Sequence, residues 1–468
     1  MKKLSLVFAA LFFCCGLVAQ EITLEDIWVK GTFRSKSIAG IRSMNNGVNY
    51  CILTSEGIEK YSYSDGKKVE TIVSFSALKF NTDKEYVFEY EFNGDETKVL
   101  LATNPQFIYR RSYLANYYVY DLQTKQIASI NEEKVRLADF SPNGSMVAYV
   151  KDNNLFVLSL ADMSVRQITT DGKFNEKIYG TTDWVYEEEF AITKGFFWSP
   201  DSEKIAFYSF DESNVKEFTI PYYGDLYPMQ YTYKYPKAGE DNSVIGIHVF
   251  DLKTATTHDI DLGPNKDIYV PRLQWTPNNE VFVHKLNRHQ NHYELFLVNC
   301  NDYRLSKIYD ERNECYIEQA ENVTFLADKQ NFIIKSEKDG YMNLYKVNMY
   351  TKQIDPITSG KYDVDQICYI DPKSEKIYFT AAQSEAYNRE LLVVDKKKKV
   401  KKLSGKVGTY TADFSANGKY YISSFSDTDT PTVYTINDNT GKSFADIGRQ
   451  QRIERNFEKV WQRKKRIW

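Results

Sequence analysis

Apolar and polar residues alternate in short runs along most of this chain, and Asn, Asp, Gly or Pro closes the runs. Lys204-Ile-Ala-Phe-Tyr208 is one of them. A period of two is the mark of a strand with one face buried. One larger unit recurs: an alternating strand, a polar turn, then a second short strand. It reads Tyr118-Val-Tyr-Asp-Leu-Gln-Thr-Lys-Gln-Ile127 and returns at Phe156 to Ile168, His248 to Thr254, Phe296 to Cys300, Tyr345 to Ile354, Leu392 to Asp395 and Tyr434 to Asn437. A weaker copy is Tyr61 to Gly66. That makes about eight copies, most of them roughly 40–57 residues apart, the period of a four-stranded propeller blade. An aromatic residue followed by turn chemistry precedes several copies, as in Phe140-Ser-Pro-Asn-Gly144, Trp198-Ser-Pro-Asp-Ser202, Trp275-Thr-Pro-Asn-Asn279 and Phe414-Ser-Ala-Asn-Gly418. The pattern predicts an all-β chain whose blades stack radially and leave few open sheet edges.

One interval, between Ser159 and Asp251, is about twice as long as the others. It holds Phe218 to Lys237, rich in Tyr and Pro, which reads as an extended arm over about residues 215–245. It also holds Asp183-Trp-Val-Tyr-Glu-Glu-Glu-Phe190. Three consecutive acids are costly on a buried face, yet a solvated acidic turn has no use for four large apolar neighbours. The run reads as carboxylates fixed in place by an apolar anchor. Such a pair suits the free amino terminus of a peptide, mostly protonated at neutral pH with a pKa of about 7.7–8.0.

Composition narrows the picture. Aromatics make up 15% of the 468 residues, which favours strands over helices. A net charge of −3 supplies no basic field to draw nucleic acid or an anionic membrane. Residues 1–19 read as a signal peptide: Lys2 and Lys3, an apolar stretch from Leu4 to Val18, and a cleavage site at Leu17-Val-Ala19. Bulky Phe13 ahead of Cys14 and Cys15 disfavours a lipid anchor, and no later stretch is long and apolar enough to span a bilayer. The protein is expected to be exported, to the periplasm, cell surface or medium. Four cysteines remain: Cys51, Cys300, Cys315 and Cys368. Cys300 and Cys315 flank a strand-turn-strand and form the favoured disulfide pair; four buried thiols is the other reading. His284, His289 and His292 fit neither one helix face nor one strand face and are read as hairpin surface, so no metal and no cofactor is expected.

Taken together, the motifs resemble the propeller domain of dipeptidyl peptidase IV, in the prolyl oligopeptidase superfamily. The carriers are Asp183-Trp-Val-Tyr-Glu-Glu-Glu189, Tyr235-Pro-Lys-Ala-Gly-Glu-Asp-Asn242, which matches bacterial members, and Tyr109-Arg-Arg-Ser-Tyr113 followed by Tyr118-Val-Tyr-Asp121. The resemblance covers roughly residues 20 to 440. It implies an eight-bladed propeller over 46–440, preceded by an N-terminal segment, 20–45. It implies that Glu188 and Glu189 clamp a substrate's amino terminus, and that Arg110 holds the penultimate carbonyl or a nearby carboxylate. A guanidinium suits that task because its fork is planar and its charge permanent. The resemblance further implies a homodimer through the Phe218–Lys237 arm and likens Cys300–Cys315 to a bridge of the family. Around Tyr316 to Thr324 the family's second substrate-facing aromatic and arginine find no match.

In the family an α/β-hydrolase domain follows the propeller. No G-x-S-x-G nucleophile elbow occurs here. Residues 441–468 read as an aberrant tail, basic and without strand pattern. Suitable codons for Phe444 to Glu454, read one base later, spell a sequence resembling the family's linker, so the tail is expected to be a frameshift product. The leading functional expectation is the substrate-gating, amine-binding part of a secreted serine-type dipeptidyl peptidase that releases Xaa-Pro dipeptides, truncated and inactive alone. The alternative is a stand-alone periplasmic propeller that binds peptides or proteins.

Overall fold

A computed structural model describes residues 22–448 apart from 36, 39, 81–84 and 319–320; the expected signal peptide and the tail beyond 448 lie outside the described residues. Each alternating run forms a strand that pairs antiparallel with its neighbours in the chain. Seven meanders of four strands and one sheet of five pieces make eight blades, at residues 42–74, 87–129, 136–167, 177–260, 268–312, 324–356, 364–402 and 409–448. The chain is an eight-bladed β-propeller, and no α/β-hydrolase domain is found among the described residues. No helix among them is long and apolar enough to cross a membrane.

The first blade opens at Arg42–Ser43, ahead of the expected 46, and the last runs past 440. Ser443–Gly448 is the outer strand of blade 8, paired to Val433–Asp438. Ala445 and Ile447, two residues apart, turn inward against Tyr50 and Tyr63 of blade 1. Six residues that looked like the start of a tail thus behave as a strand, because their alternation matches the pleat.

Apolar faces of successive blades pack against one another, with aromatic residues filling the wedge. The ring closes between blades 8 and 1 by side-chain packing: Tyr63 stacks on Tyr420 at 5.7 Å, and the Ala416 N–H donates to Ser43 Oγ at 2.9 Å. The recurring Ser-Pro-Asn/Asp turn has a hydrogen-bond logic. Ser141 Oγ donates to Asn143 Oδ1 while accepting from the Met146 N–H that starts the next strand. Ser199 and Ser415 repeat the arrangement.

Blade 4 departs from this plan in a way that creates the site. Its innermost strand is split. Lys177–Tyr179 pairs with the end of Lys204–Asp211, and Phe196–Trp198 pairs with its beginning. Residues 180–195 leave the sheet between the two pieces and return. Their neck is two glycines, with the Gly195 N–H donating to the Gly180 carbonyl at 3.0 Å. Gly180 sits at φ +67°, and a Cβ on Gly195 would meet the Thr181 carbonyl at 2.8 Å. Both positions need the absent side chain.

Candidate amino-terminus-binding site

The excursion carries one short helix, α1 (Trp184–Glu189). Asp183 caps it, accepting from the Tyr186 N–H at 2.9 Å and from Ser243 Oγ at 2.6 Å. Burial pushes the Asp183 carboxyl up to about 6, against those two hydrogen bonds, which pull it down. Tyr186 is the anchor. It packs on Phe190, Tyr208, Phe210 and Tyr269, and its hydroxyl accepts from the Val270 N–H at 2.7 Å, tying the helix to blade 5.

The helix sorts its three glutamates. Glu187 is fully buried. Its Oε1 accepts from the Arg111 and Ser112 N–H groups, each at 2.8 Å, and its carbonyl accepts from Arg111 Nη1 at 2.8 Å. It therefore locks the Tyr109–Tyr113 loop of blade 2 to α1. The buried Arg136 guanidinium stands close enough to be favoured by Glu187, while burial works against its charge. Glu188 is half-buried and Glu189 exposed. Glu188 Oε2 lies 3.7 Å from Arg110 Nε and 4.0 Å from Arg111 Nη1.

The two arginines are thereby told apart. Arg111 is spent on Glu187, whereas the Arg110 side chain is 72% exposed and, among the described residues, pairs only with Glu188. Tyr316, in the loop after blade 5, is near enough to feel the charge of Glu189. Its phenol is raised first by burial and then by the charges of Glu318, Glu189 and Glu337. Glu188 thus stands next to a cation, and Glu189 is open to solvent.

The Tyr-rich segment forms a two-stranded hairpin, Glu217–Tyr222 with Met229–Lys234. Its root touches both parts of the site. Trp184 of α1 packs on Tyr235 at 4.2 Å, and Tyr109 meets Tyr233 at 5.9 Å and the Tyr231 hydroxyl at 3.5 Å. Its tip is apolar and open: Tyr223, Leu226 and Tyr227 are 79%, 91% and 83% exposed.

Two expectations need correction. Cys300 and Cys315 are free thiols. Cys300 lies in the turn before strand Leu305–Arg312 and Cys315 beyond its far end. Eight residues of strand, roughly 26 Å, separate them, far beyond disulfide reach. His284 is not hairpin surface but core: its Nδ1 accepts from the Tyr293 hydroxyl at 2.7 Å and its Nε2 donates to Gln274 Oε1 at 3.1 Å. Burial pushes its pKa down to about 3, so it stays neutral.

Blade 4 also holds a Ser-His-Asp chain that no sequence motif announces. Ser209 Oγ lies 2.8 Å from His248 Nε2, and His248 Nδ1 lies 2.7 Å from Asp259 Oδ1. The spacing resembles a hydrolase triad, but the chemistry does not follow. Ser209 is buried mid-strand, with paired neighbours on both edges of its strand, so no pair of free N–H groups faces it to stabilise an oxyanion. It is a polar relay inside a sheet.

The family described as dipeptidyl peptidase IV (DPP IV) N-terminal region matches residues 93–432. The crystal structure of Porphyromonas gingivalis dipeptidyl peptidase 4 superposes with a TM-score of 0.89 at 34% identity, over 94% of this chain and 63% of that one. Dipeptidyl peptidase 4 of Trichophyton rubrum is 28% identical over 423 residues, 85% of this chain and 53% of its own length. That of Arthroderma otae is 28% identical over 375 residues, 75% of this chain and 48% of its own. The chain spans about half the length of these curated relatives.

Proposed function

Because the chain belongs to the dipeptidyl peptidase IV N-terminal region family, we propose that it is the substrate-gating propeller of an exported serine-type dipeptidyl peptidase, and that Glu188 and Glu189 receive the protonated amino terminus of a peptide. The observation that carries this reading is the sorting of the acidic run: Glu187 is consumed by structure, Glu188 is left half-buried 3.7 Å from Arg110, and Glu189 is left exposed. An ammonium between two carboxylates makes charge-assisted hydrogen bonds in a partly desolvated setting. With that end fixed, chain length alone decides which peptide bond reaches a nucleophile, so the clamp acts as a ruler. Arg110 is placed to take the carbonyl or carboxylate next along the substrate.

The same reading accounts for two exposed apolar surfaces. Leu24 and Trp28 of the N-terminal segment, 75% and 74% exposed, would pack on the hydrolase domain. The arm tip would pair with a second subunit; since its root touches Trp184 and Tyr109, dimerisation would also brace the site.

Amine binding by itself stabilises ground and transition states alike and gives no cleavage. The full chain assayed on an Xaa-Pro chromogenic amide should therefore release product at the background rate, and Ser209→Ala should change nothing. Release above background that Ser209→Ala abolishes would overturn both the gating role and the structural account of the blade 4 relay.

A further inference from the structure

We infer that blade 5 carries a divalent-metal site of His292, Glu294 and Asp310, independent of the peptide site. His292 and Glu294 are two residues apart on one strand, His292–Val298, and so share a face. Asp310 on Leu305–Arg312 lies directly across from Glu294. Two carboxylates opposed on neighbouring strands repel each other unless a cation stands between them. Here the cation is the Lys307 ammonium, 3.2 Å from Glu294 Oε1 and 2.7 Å from Asp310 Oδ2. The imidazole closes the third side: His292 Nε2 is 3.2 Å from Asp310 Oδ2 and 3.9 Å from Glu294 Oε1. The three donor atoms lie within 4.8 Å of one another.

Those separations are close to what a small metal ion requires. Nitrogen and oxygen ligands about 2.0–2.2 Å from one centre, at angles between octahedral and tetrahedral, stand roughly 3.0–3.5 Å apart. The His292–Asp310 separation of 3.2 Å already fits, the His292–Glu294 one of 3.9 Å is slightly long, and the Glu294 and Asp310 oxygens lie within 4.8 Å of each other. One imidazole and two carboxylates is a donor set for zinc and its borderline neighbours rather than for magnesium or calcium, which take oxygen alone. Three protein ligands leave one position for water. His292 and Glu294 are largely shielded, with side chains 19% and 16% exposed, whereas the Lys307 side chain is 46% exposed and can swing its ammonium into solvent. The exposed Arg312 Nε lies 3.7 Å from Asp310 Oδ1, the other oxygen of that carboxylate. The ammonium is thus a resident monovalent cation in a cradle that a divalent ion fills better.

The test is a zinc titration of the full chain, stripped with chelator and carrying Cys315→Ser to remove the exposed thiol, read by competition with a chromophoric chelator. One zinc per chain is expected. His292→Ala and Asp310→Asn should each weaken it about tenfold or more. Lys307→Ala should tighten it several-fold, because the competing cation is gone, and zinc should raise the melting temperature of Lys307→Ala more than that of wild type. A plain surface ion-pair network gives no stoichiometric zinc binding that His292→Ala weakens. Absence of zinc binding, binding unchanged in His292→Ala and Asp310→Asn, or a Lys307→Ala variant that binds no more tightly would overturn the proposal.

Discussion

Glu187→Ala should be the most damaging single substitution in the acidic run, although it touches no proposed ligand. Its carboxylate is the acceptor for two N–H groups of the Tyr109–Tyr113 loop and a counter-charge for buried Arg136. Removing it leaves buried donors unpaired, at about 1–3 kcal/mol each, and strips compensation from a buried cation. A loss of about 3–5 kcal/mol follows from those terms, read as a lower urea midpoint with unchanged slope. Arg110 would also lose its fixed place next to Glu188, so binding and stability should fall together. A variant as stable as wild type would mean that α1 is held by Tyr186 and the Asp183 cap alone.

Glu188→Gln combined with Glu189→Gln should do the reverse: preserve stability and remove affinity. Neither side chain is fully buried, and their only close cationic partners among the described residues are Arg110 and Arg111, at 3.7 and 4.0 Å. Ion pairs that open contribute about 1 kcal/mol or less. Two charge-assisted hydrogen bonds to an ammonium, at about 1.5–3 kcal/mol each, are a different matter. Peptide affinity should drop on the order of 100-fold or more, while the urea midpoint stays put.

The architecture was legible because a propeller repeats one local pattern, and an alternating strand with a polar turn leaves the same trace eight times. The acidic run was legible as a site for a related reason: carboxylates beside Trp184 and Tyr186 break the pattern. The division of labour within it could also have been read. Positions 183, 186, 187 and 190 fall on one face of a helix, so Glu187 had to point with Tyr186 and Phe190 into the core. The resemblance singled out Glu188 and Glu189 and assigned Glu187 no part.

What failed depended on distances that no local pattern encodes. Cys300 and Cys315 are close in sequence but lie at the two ends of a fully extended strand. His284 reads as polar, yet Tyr293 and Gln274 satisfy both of its nitrogens and let it sit in the core. Tyr316 feels the charge of Glu189 across a blade boundary. Ser443–Gly448 was hidden because its partner strand supplies most of the reason for its shape. The arm was recognised as an insert, but its contact with Tyr109 brings together residues more than a hundred positions apart.

The clamp is tested most directly by calorimetry on the full chain with one short Xaa-Pro peptide in two forms, its amino terminus free or acetylated. Acetylation removes the charge and changes little else. Glu188 and Glu189 acting as an ammonium site require the free peptide to bind at least tenfold more tightly, a difference of about 1.4 kcal/mol or more. Equal affinity for the two forms would contradict it.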